Sequence, residues 1–143
     1  MSFDLRIFNG DLQLDNGDLE KVEGLDKLIQ DVLKIIMTPV GGNVFFPWYG
    51  SFITSSLVGN PLDNEFMESV AQAQVSNALL TLQQMQRDQM ASNQRVTGDE
   101  LLAAVQSVIL DRNIVDPTYI SLRVRIATKN LRSTEVTLNL TTL

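Results

Sequence analysis

Short alternations of apolar and polar residues fill the first 23 positions: Leu5 and Ile7, then Leu12 and Leu14, then Leu19 and Val22. Asn9-Gly10 and Asn16-Gly17 separate them. Asn-Gly between alternating runs is a strong hairpin signal, because both central residues of a type I′ turn need positive φ. A small meander is expected, one edge of which needs a cover or a partner. From Gly24 the period lengthens to that of a helix. Leu25, Leu28, Leu33 and Ile36 share a stripe with Ile29 and Val32, while Asp26, Lys27, Gln30, Asp31 and Lys34 take the opposite face. Pro39 and Gly41-Gly42 stop this helix near Met37-Thr38.

The next stretch, Gly41-Gly42-Asn43-Val44-Phe45-Phe46-Pro47-Trp48-Tyr49-Gly50, holds four of the nine aromatic residues and the single tryptophan. Aromatic side chains bury the largest areas per residue, so this loop fixes either a corner of the core or a docking surface. The reading favoured here is a structural corner that turns the first helix back toward the sheet, with Gly42 and Gly50 allowing tight passage and Phe45, Phe46, Pro47, Trp48 and Tyr49 closing the core. Residues 51–59 read as irregular structure or a short helical turn, and Asn60-Pro61-Leu62-Asp63-Asn64 as a turn and N-cap.

A long helix follows, with Phe66, Met67, Val70, Ala71, Val75, Ala78, Leu79, Leu82 and Met85 recurring at three and four. Its other face carries Gln72, Gln83, Gln86 and Gln89, read as solvated. Residues 88–96 are polar, a loop or frayed end. Thr97-Gly98-Asp99-Glu100 has the form of a capping box and predicts a short helix through Leu101, Leu102, Val105, Val108 and Ile109, ending near Asp111-Arg112-Asn113. After Asp116-Pro117 the period returns to two. Ile120, Leu122, Val124 and Ile126 alternate with Ser121, Arg123 and Arg125; beyond Lys129-Asn130, Val136, Leu138 and Leu140 alternate with Glu135, Thr137, Asn139 and Thr141. The last strand, Val136-Thr137-Leu138-Asn139-Leu140-Thr141, is expected at a sheet edge, able to accept another chain by strand addition. No internal repeat or low-complexity tract is read. The expected fold is one α+β domain over residues 1–143: a small antiparallel sheet from N-terminal hairpins and a C-terminal hairpin, packed on about three helices.

Composition narrows the chemistry. Neither cysteine nor histidine occurs, which removes disulfides, thiolate and histidine metal sites, and Ser-His or Cys-His nucleophile pairs. The net charge of -6 argues against nucleic acid, whose phosphates call for lysine and arginine. Carboxylates crowd the first quarter of the chain, and Arg112, Arg123, Arg125, Lys129 and Arg132 the last, a polarity able to orient protein partners. No apolar run approaches a membrane span and no secretory signal begins the chain, so a soluble protein made in a cytoplasm is expected.

A paired-carboxylate glycan hydrolase is the hydrolytic mechanism left open. No acid sits in an apolar setting that would raise its pKa: Asp31 falls on a polar helix face, and Glu65, Glu68 and Glu100 are explained by helix starts. Asp11, Asp15 and Asp18 lack the spacing of a calcium loop, and Gly41-Gly42-Asn43 follows a helix without the ending of a phosphate loop. The expectation is a protein that is not an enzyme and carries no metal or cofactor.

The order of features resembles a known family. Gly24 opening a helix that contains Gln30-Asp31, then Ile36-Met37-Thr38, a glycine turn, Pro47-Trp48-Tyr49-Gly50, a long helix, and Asp116-Pro117 before a hairpin are similar to the baseplate wedge and sheath-initiator proteins of contractile phage tails. This is the GPW/gene-25-like family, which includes a baseplate subunit of type VI secretion systems. The similarity spans roughly residues 18 to 143. Family members show Leu-Leu-Thr, then Gly-Glu, then Pro-x-Phe-Gly or Pro-x-Tyr-Gly; here the acidic residue after the first glycine is missing, Gly42 and Asn43 standing there. The family's Glu-Pro-Arg motif, which contacts the helical core bundle of the wedge, is represented by Asp116-Pro117-Thr118, with the arginine lost. The resemblance implies a structural protein of the virion tail baseplate, six copies around the tail tube. Each copy would offer a sheet edge to the first tail sheath subunits and dock on baseplate wedge proteins, with the tube or hub as a further neighbour. The alternatives are a lysozyme-like glycan hydrolase, a label some relatives carry, and a generic protein-interaction module.

Overall fold

The computed structural model describes residues 3–8, 11–57, 64–92, 94–113, 115–116 and 119–141. Six two-residue strands come first: β1 Asp4–Leu5, β2 Ile7–Phe8, β3 Asp11–Leu12, β4 Leu14–Asp15, β5 Asp18–Leu19 and β6 Lys21–Val22. Helices α1 (Gly24–Met37), α2 (Ile53–Leu57) and α3 (Asn64–Ala91) follow, then a 3-10 turn at Gly98–Glu100. The chain closes with β7 (Leu102–Arg112), β8 (Tyr119–Thr128) and β9 (Ser133–Thr141), an antiparallel sheet in the order β7-β8-β9. The class is α+β, as expected. The two ends of the chain build separate sheets, however, and the N-terminal strands do not pair with β7, β8 or β9.

The sheet is two-faced. Ile120, Leu122, Val124 and Ile126 of β8 and Val136, Leu138 and Leu140 of β9 are buried against the helices, while Arg125, Glu135, Thr137 and Asn139 remain on the outer side, as their alternation requires. Opposite them α1 contributes Leu28, Val32, Ile35 and Ile36, and α3 contributes Met67, Ala71, Val75, Ala78, Leu79 and Leu82. Leu25, Ile29 and Leu33 pack at the margin of this cluster. A pattern at three and four thus seats each helix on the sheet by one stripe.

The helix predicted over residues 101–113 is instead β7. Its buried residues Leu102, Val108 and Leu110, with half-buried Val105 between them, are spaced by three, three and two. Register shifts between Leu102 and Ala104 and between Val105 and Ser107 produce that spacing, since each bulge moves the apolar side chain by one position. A period of two interrupted twice imitates a helical stripe. Thr97 and Glu100 do form a capping box, but it closes only the single 3-10 turn before the strand begins. Residues 88–91, read as a loop or fraying end, belong to α3. The segment 51–57 contains the short helix α2; of the turn expected at Asn60-Pro61-Leu62-Asp63-Asn64, residues 60–63 lie outside the described residues and Asn64 opens α3.

The N-terminal meander is organised by a repeat the initial reading missed. Asp4-Leu5-Arg6-Ile7-Phe8-Asn9-Gly10, Asp11-Leu12-Gln13-Leu14-Asp15-Asn16-Gly17 and Asp18-Leu19-Glu20-Lys21-Val22-Glu23-Gly24 are three consecutive copies of Asp-Leu followed by a terminal glycine. Each copy is one bent strand, its halves pairing with different neighbours: β1 with β6, β2 with β3, and β4 with β5. At each bend the hydrogen bonds form a closed cycle. Arg6 N–H donates to Glu20 O (2.8 Å), Gln13 N–H to Arg6 O (3.0 Å) and Glu20 N–H to Gln13 O (2.9 Å). This trefoil has pseudo-threefold symmetry, and the pairing of β1 with β6 ties its first strand to its last. The glycines ending the second and third copies, Gly17 (φ 86°) and Gly24 (φ 63°), take the left-handed conformation that lets the chain turn into the next element.

Candidate functional site

The two edges of the three-stranded sheet are treated differently. Beyond β7 lies α3, whose glutamines reach the strand's backbone: Gln72 Nε2 donates to Val108 O (3.4 Å), and Gln83 Nε2 to Ala103 O (3.0 Å) and Leu102 O (3.3 Å). Gln86, only 6% exposed, uses both ends of its amide, donating to Glu100 O and accepting from Leu102 N–H, each at 2.9 Å. The face read as solvated therefore includes a row of side-chain partners for a sheet edge. Positions 72, 83 and 86 fall on one side of a helix, which is the signal that could have revealed it. On the far side of the sheet, β9 pairs with β8 from Tyr119↔Thr141 to Ala127↔Ser133. Among the described residues no other strand pairs with β9. Val136, Thr137, Leu138, Asn139, Leu140 and Thr141 thus line an edge strand.

Asp116, the first residue of the motif expected to contact the wedge, lies between β7 and β8. Asn113 Oδ1 accepts from Val115 N–H (2.8 Å) and Asp116 N–H (3.3 Å), while Asn113 N–H donates to Tyr119 O (3.0 Å) and Tyr119 N–H to Asp116 O (3.1 Å). Asp116 is exposed; Pro117 and Thr118 lie outside the described residues. Because Tyr119 is opposite Thr141, this loop and the end of β9 meet at the same end of the sheet. Sequence separation had kept them apart.

The aromatic loop is closed at its base and open at its tip. Ser51 N–H donates to Thr38 O (2.9 Å), Gly41 N–H to Pro47 O (3.1 Å) and Gly42 N–H to Pro39 O (2.9 Å), and Ser51 Oγ donates to Ile36 O (2.5 Å). Within the loop Asn43 Oδ1 accepts from the N–H groups of Phe45 and Phe46, at 3.0 and 3.2 Å. The core-closing role expected of these aromatics is corrected: Phe45 is 86% exposed, Phe46 and Trp48 about half, and only Tyr49 packs against the core. Phe46 and Trp48 meet edge to face with centroids 5.7 Å apart. The closed base spends its hydrogen bonds on the short backbone span and leaves the rings outside, so the loop is a compact Ω-like projection. Gly50 (φ 124°) is required at its exit, where a Cβ would lie 3.0 Å from the Pro39 carbonyl carbon and against Thr38 O.

Beneath this loop the polar face of α1 is covered. Lys27 Nζ meets Asp31 Oδ2 at 2.6 Å, and Lys34 is paired with Asp4 and lies 3.9 Å from Asp31. Gln30 fastens the trefoil to the helix, accepting from Ile7 N–H (2.9 Å) and donating to Leu5 O (2.7 Å) and Asp4 Oδ2 (3.0 Å). Burial pushes the Asp31 carboxyl above its usual range despite Lys27 and Lys34. For Asp4 burial also acts upward, but Lys34, the Leu5 N–H and Gln30 outweigh it and hold the carboxyl below its usual range. Tyr49 is pushed up to about 12 by burial and by the charges of Asp31 and Asp4. Asp31 was read on the polar face of α1; its side chain is instead only 13% exposed, beside Lys27 and Lys34. An open depression of about 250 Å³ is lined here by residues that include Lys27, Asp31, Lys34, Tyr49 and Gln89. The raised acid within it is already hydrogen-bonded to an ammonium group.

Among the described residues no group of three or more His, Cys, Asp or Glu side chains is placed to hold a metal ion, and no helix is long and apolar enough to cross a membrane. No family model and no curated protein matches the chain. Its fold is similar to the crystal structure of a provisionally named tail lysozyme from Geobacter sulfurreducens. The TM-score is 0.60 at 11% identity, over 81% of this chain and 88% of that one. At this identity the likeness is one of fold, and it places the chain's α+β architecture beside that of a protein named for a tail.

Proposed function

We propose that this protein is a non-enzymatic structural component of a contractile tail baseplate and nucleates sheath assembly by lending the edge of β9 to the first sheath subunits. One observation carries the reading: of the sheet's two edges, β7 is furnished with glutamine partners from α3, whereas among the described residues no strand pairs with the outer edge of β9. A strand added there would gain main-chain hydrogen bonds, with the alternation of Thr137 and Asn139 against Leu138 and Leu140 setting its register. The loop at Asp116-Pro117-Thr118, adjoining the end of β9, is the candidate contact to the wedge, and Phe45, Phe46 and Trp48 supply a second docking surface. The tail-associated name of the structural neighbour agrees with a tail location. Against a lysozyme-like role stands Asp31, the acid with a raised pKa, which is engaged with Lys27.

Single prolines placed at Thr137, Leu138 and Asn139 test the reading. Successive N–H groups of an edge strand point alternately to its neighbour and outward, so some prolines break the β8 ladder while others remove only outward donors. Variants that keep their far-UV spectrum and unfolding midpoint yet have lost an outward donor should assemble baseplates without sheath. Normal sheath on such particles would refute the proposal. Turnover of peptidoglycan that is abolished by Asp31→Asn would establish the enzymatic alternative.

A further inference from the structure

We infer that the groove between the second half of α3 and the start of β7 docks a segment of a partner protein that is apolar at one end and carries carboxylates at the other. The groove lies at the sheet edge opposite β9, so the inference stands or falls independently of sheath nucleation. Two adjoining depressions form it, with Gln83 and Leu102 in the walls of both. The larger, about 280 Å³, runs between Ser76 and Leu80 on the helix and Ala103, Ala104 and Val105 on the strand. Small side chains on both walls leave this space, and the register shifts of β7 at Leu102/Ala104 and Val105/Ser107 fall within it, where a bulged strand bends locally. Leu80, 62% exposed, gives this end its apolar surface. The smaller depression, about 110 Å³, continues toward the C-terminus of α3, where Arg87 and Met90 stand across from Leu101 and Lys129. Positions 76, 80, 83, 87 and 90 advance by three and four, so a single stripe of α3 makes the whole helical wall.

Charge selects the occupant. Arg87 and Lys129 reach the same end of the groove from different elements, α3 and the turn after β8, and both are exposed. The backbone fixes this juxtaposition: Lys129 N–H donates to Leu101 O (3.1 Å), tying the turn to the residue before β7. Among the described residues neither cation forms an ion pair, although the chain has 17 acidic side chains against 11 basic ones. Arg87 meets the neutral amide of Gln84, at 3.5 Å. No carboxylate lines either depression. The acids closest along the chain are engaged elsewhere: Asp88 accepts from Gln84 Nε2 (3.1 Å), and Asp99 from Arg132 Nη1 and Asn130 Nδ2, each at 3.3 Å. Two unpaired cations beside Leu101 and the 43% exposed Met90 are complementary to carboxylates next to apolar side chains. A nucleic-acid backbone calls for a longer basic track than two cations. A second copy fits poorly, because each carries a net charge of -6 and its trefoil ladder, pairing Leu14↔Leu19 and Asp15↔Asp18, puts leucines and aspartates on opposite faces.

The test titrates the ¹⁵N-labelled full chain with synthetic end-capped peptides in which leucines either precede or follow a run of glutamates, and with counterparts carrying lysine for glutamate. Saturable amide shifts centred on residues 76–90, 101–105 and 129 are expected for a glutamate peptide, weakening as salt is raised. Arg87→Gln combined with Lys129→Gln should weaken binding by about tenfold or more and remove most of its salt dependence, while Leu80→Ser should weaken it by about fivefold or more and leave the salt dependence intact. Both variants should keep the wild-type urea midpoint, since the altered side chains are exposed. Absence of saturable shifts in the groove overturns the inference, as does equal binding of the lysine counterparts or undiminished binding by the double variant. Shifts confined to residues 133–141 overturn it while leaving strand addition at β9 standing. A concentration-dependent dimer lost in Leu80→Ser would assign the groove to a second copy, and tighter binding there of an oligothymidylate of equal charge would assign its cations to phosphate; either result overturns the inference.

Discussion

Gln86→Met should destabilise the protein far more than a glutamine substitution on a helix normally does. The amide of Gln86 spans α3 and the start of β7, donating to Glu100 O and accepting from Leu102 N–H, both at 2.9 Å, in a place where Glu100 is 1% and Leu102 2% exposed. Methionine matches its length but satisfies neither backbone group. Leaving a buried donor or acceptor unpaired costs about 1–3 kcal/mol each. Two such groups, partly offset by burial of the thioether, give about 2–4 kcal/mol, a fall in Tm of roughly 5–15 °C for a chain of this size. Gln84→Met, at an exposed position on the same helix, should stay within about 0.5 kcal/mol of wild type. Urea unfolding followed by circular dichroism reads both, with m unchanged if only the folded state is affected. A loss below about 1 kcal/mol for Gln86→Met would show that water or a shifted backbone replaces the amide, and would refute the claim that glutamine side chains furnish the β7 edge.

Three further outcomes are expected. Gly50→Ala should cost more than about 2 kcal/mol, measured by the same unfolding assay, because it combines a left-handed φ with a clash against the Thr38 and Pro39 backbone. Trp48→Ala should leave stability within about 0.5–1 kcal/mol of wild type while weakening docking in an assembly assay; intact Trp48 should be readily quenched by acrylamide, as an exposed indole is. Tyr49 has its folded-state ionisation pushed up to about 12, so its contribution is present below the unfolded phenol value near 10 and is lost as pH rises from there through about 12. Urea midpoints should therefore fall between pH 9 and 11 in wild type more than in Tyr49→Phe.

Strands β8 and β9, helix α1 and the body of α3 were determined by the sequence, because each presents a regular period to a single neighbour: two for Ile120 to Ile126 and Val136 to Leu140, three and four for Leu28 to Ile36 and Met67 to Leu82. Local pattern and tertiary burial agree there. The trefoil was written in the sequence as well, in three copies of Asp-Leu and a closing glycine. Its closed hydrogen-bond cycle was not, since hairpin signals describe neighbouring strands and are silent on whether the first strand meets the last. Tertiary structure alone decided β7, where two bulges concealed a strand period and pairing with β8 overrode the apparent helix. It also decided the fate of polar side chains. Gln30, Gln86, Lys27 and Asp31 read as surface residues, yet each is enclosed or partly enclosed against a partner that arrives from elsewhere in the chain or from the same helix. For the aromatic loop the error ran the other way: its backbone satisfied itself across a short base, and the rings were left outside. Periodicity reports how much apolar surface a segment offers. Which surface is covered depends on the distant groups that reach it, and among the described residues none buries Phe45, Phe46, Trp48 or the trefoil's Leu12, Leu14 and Leu19.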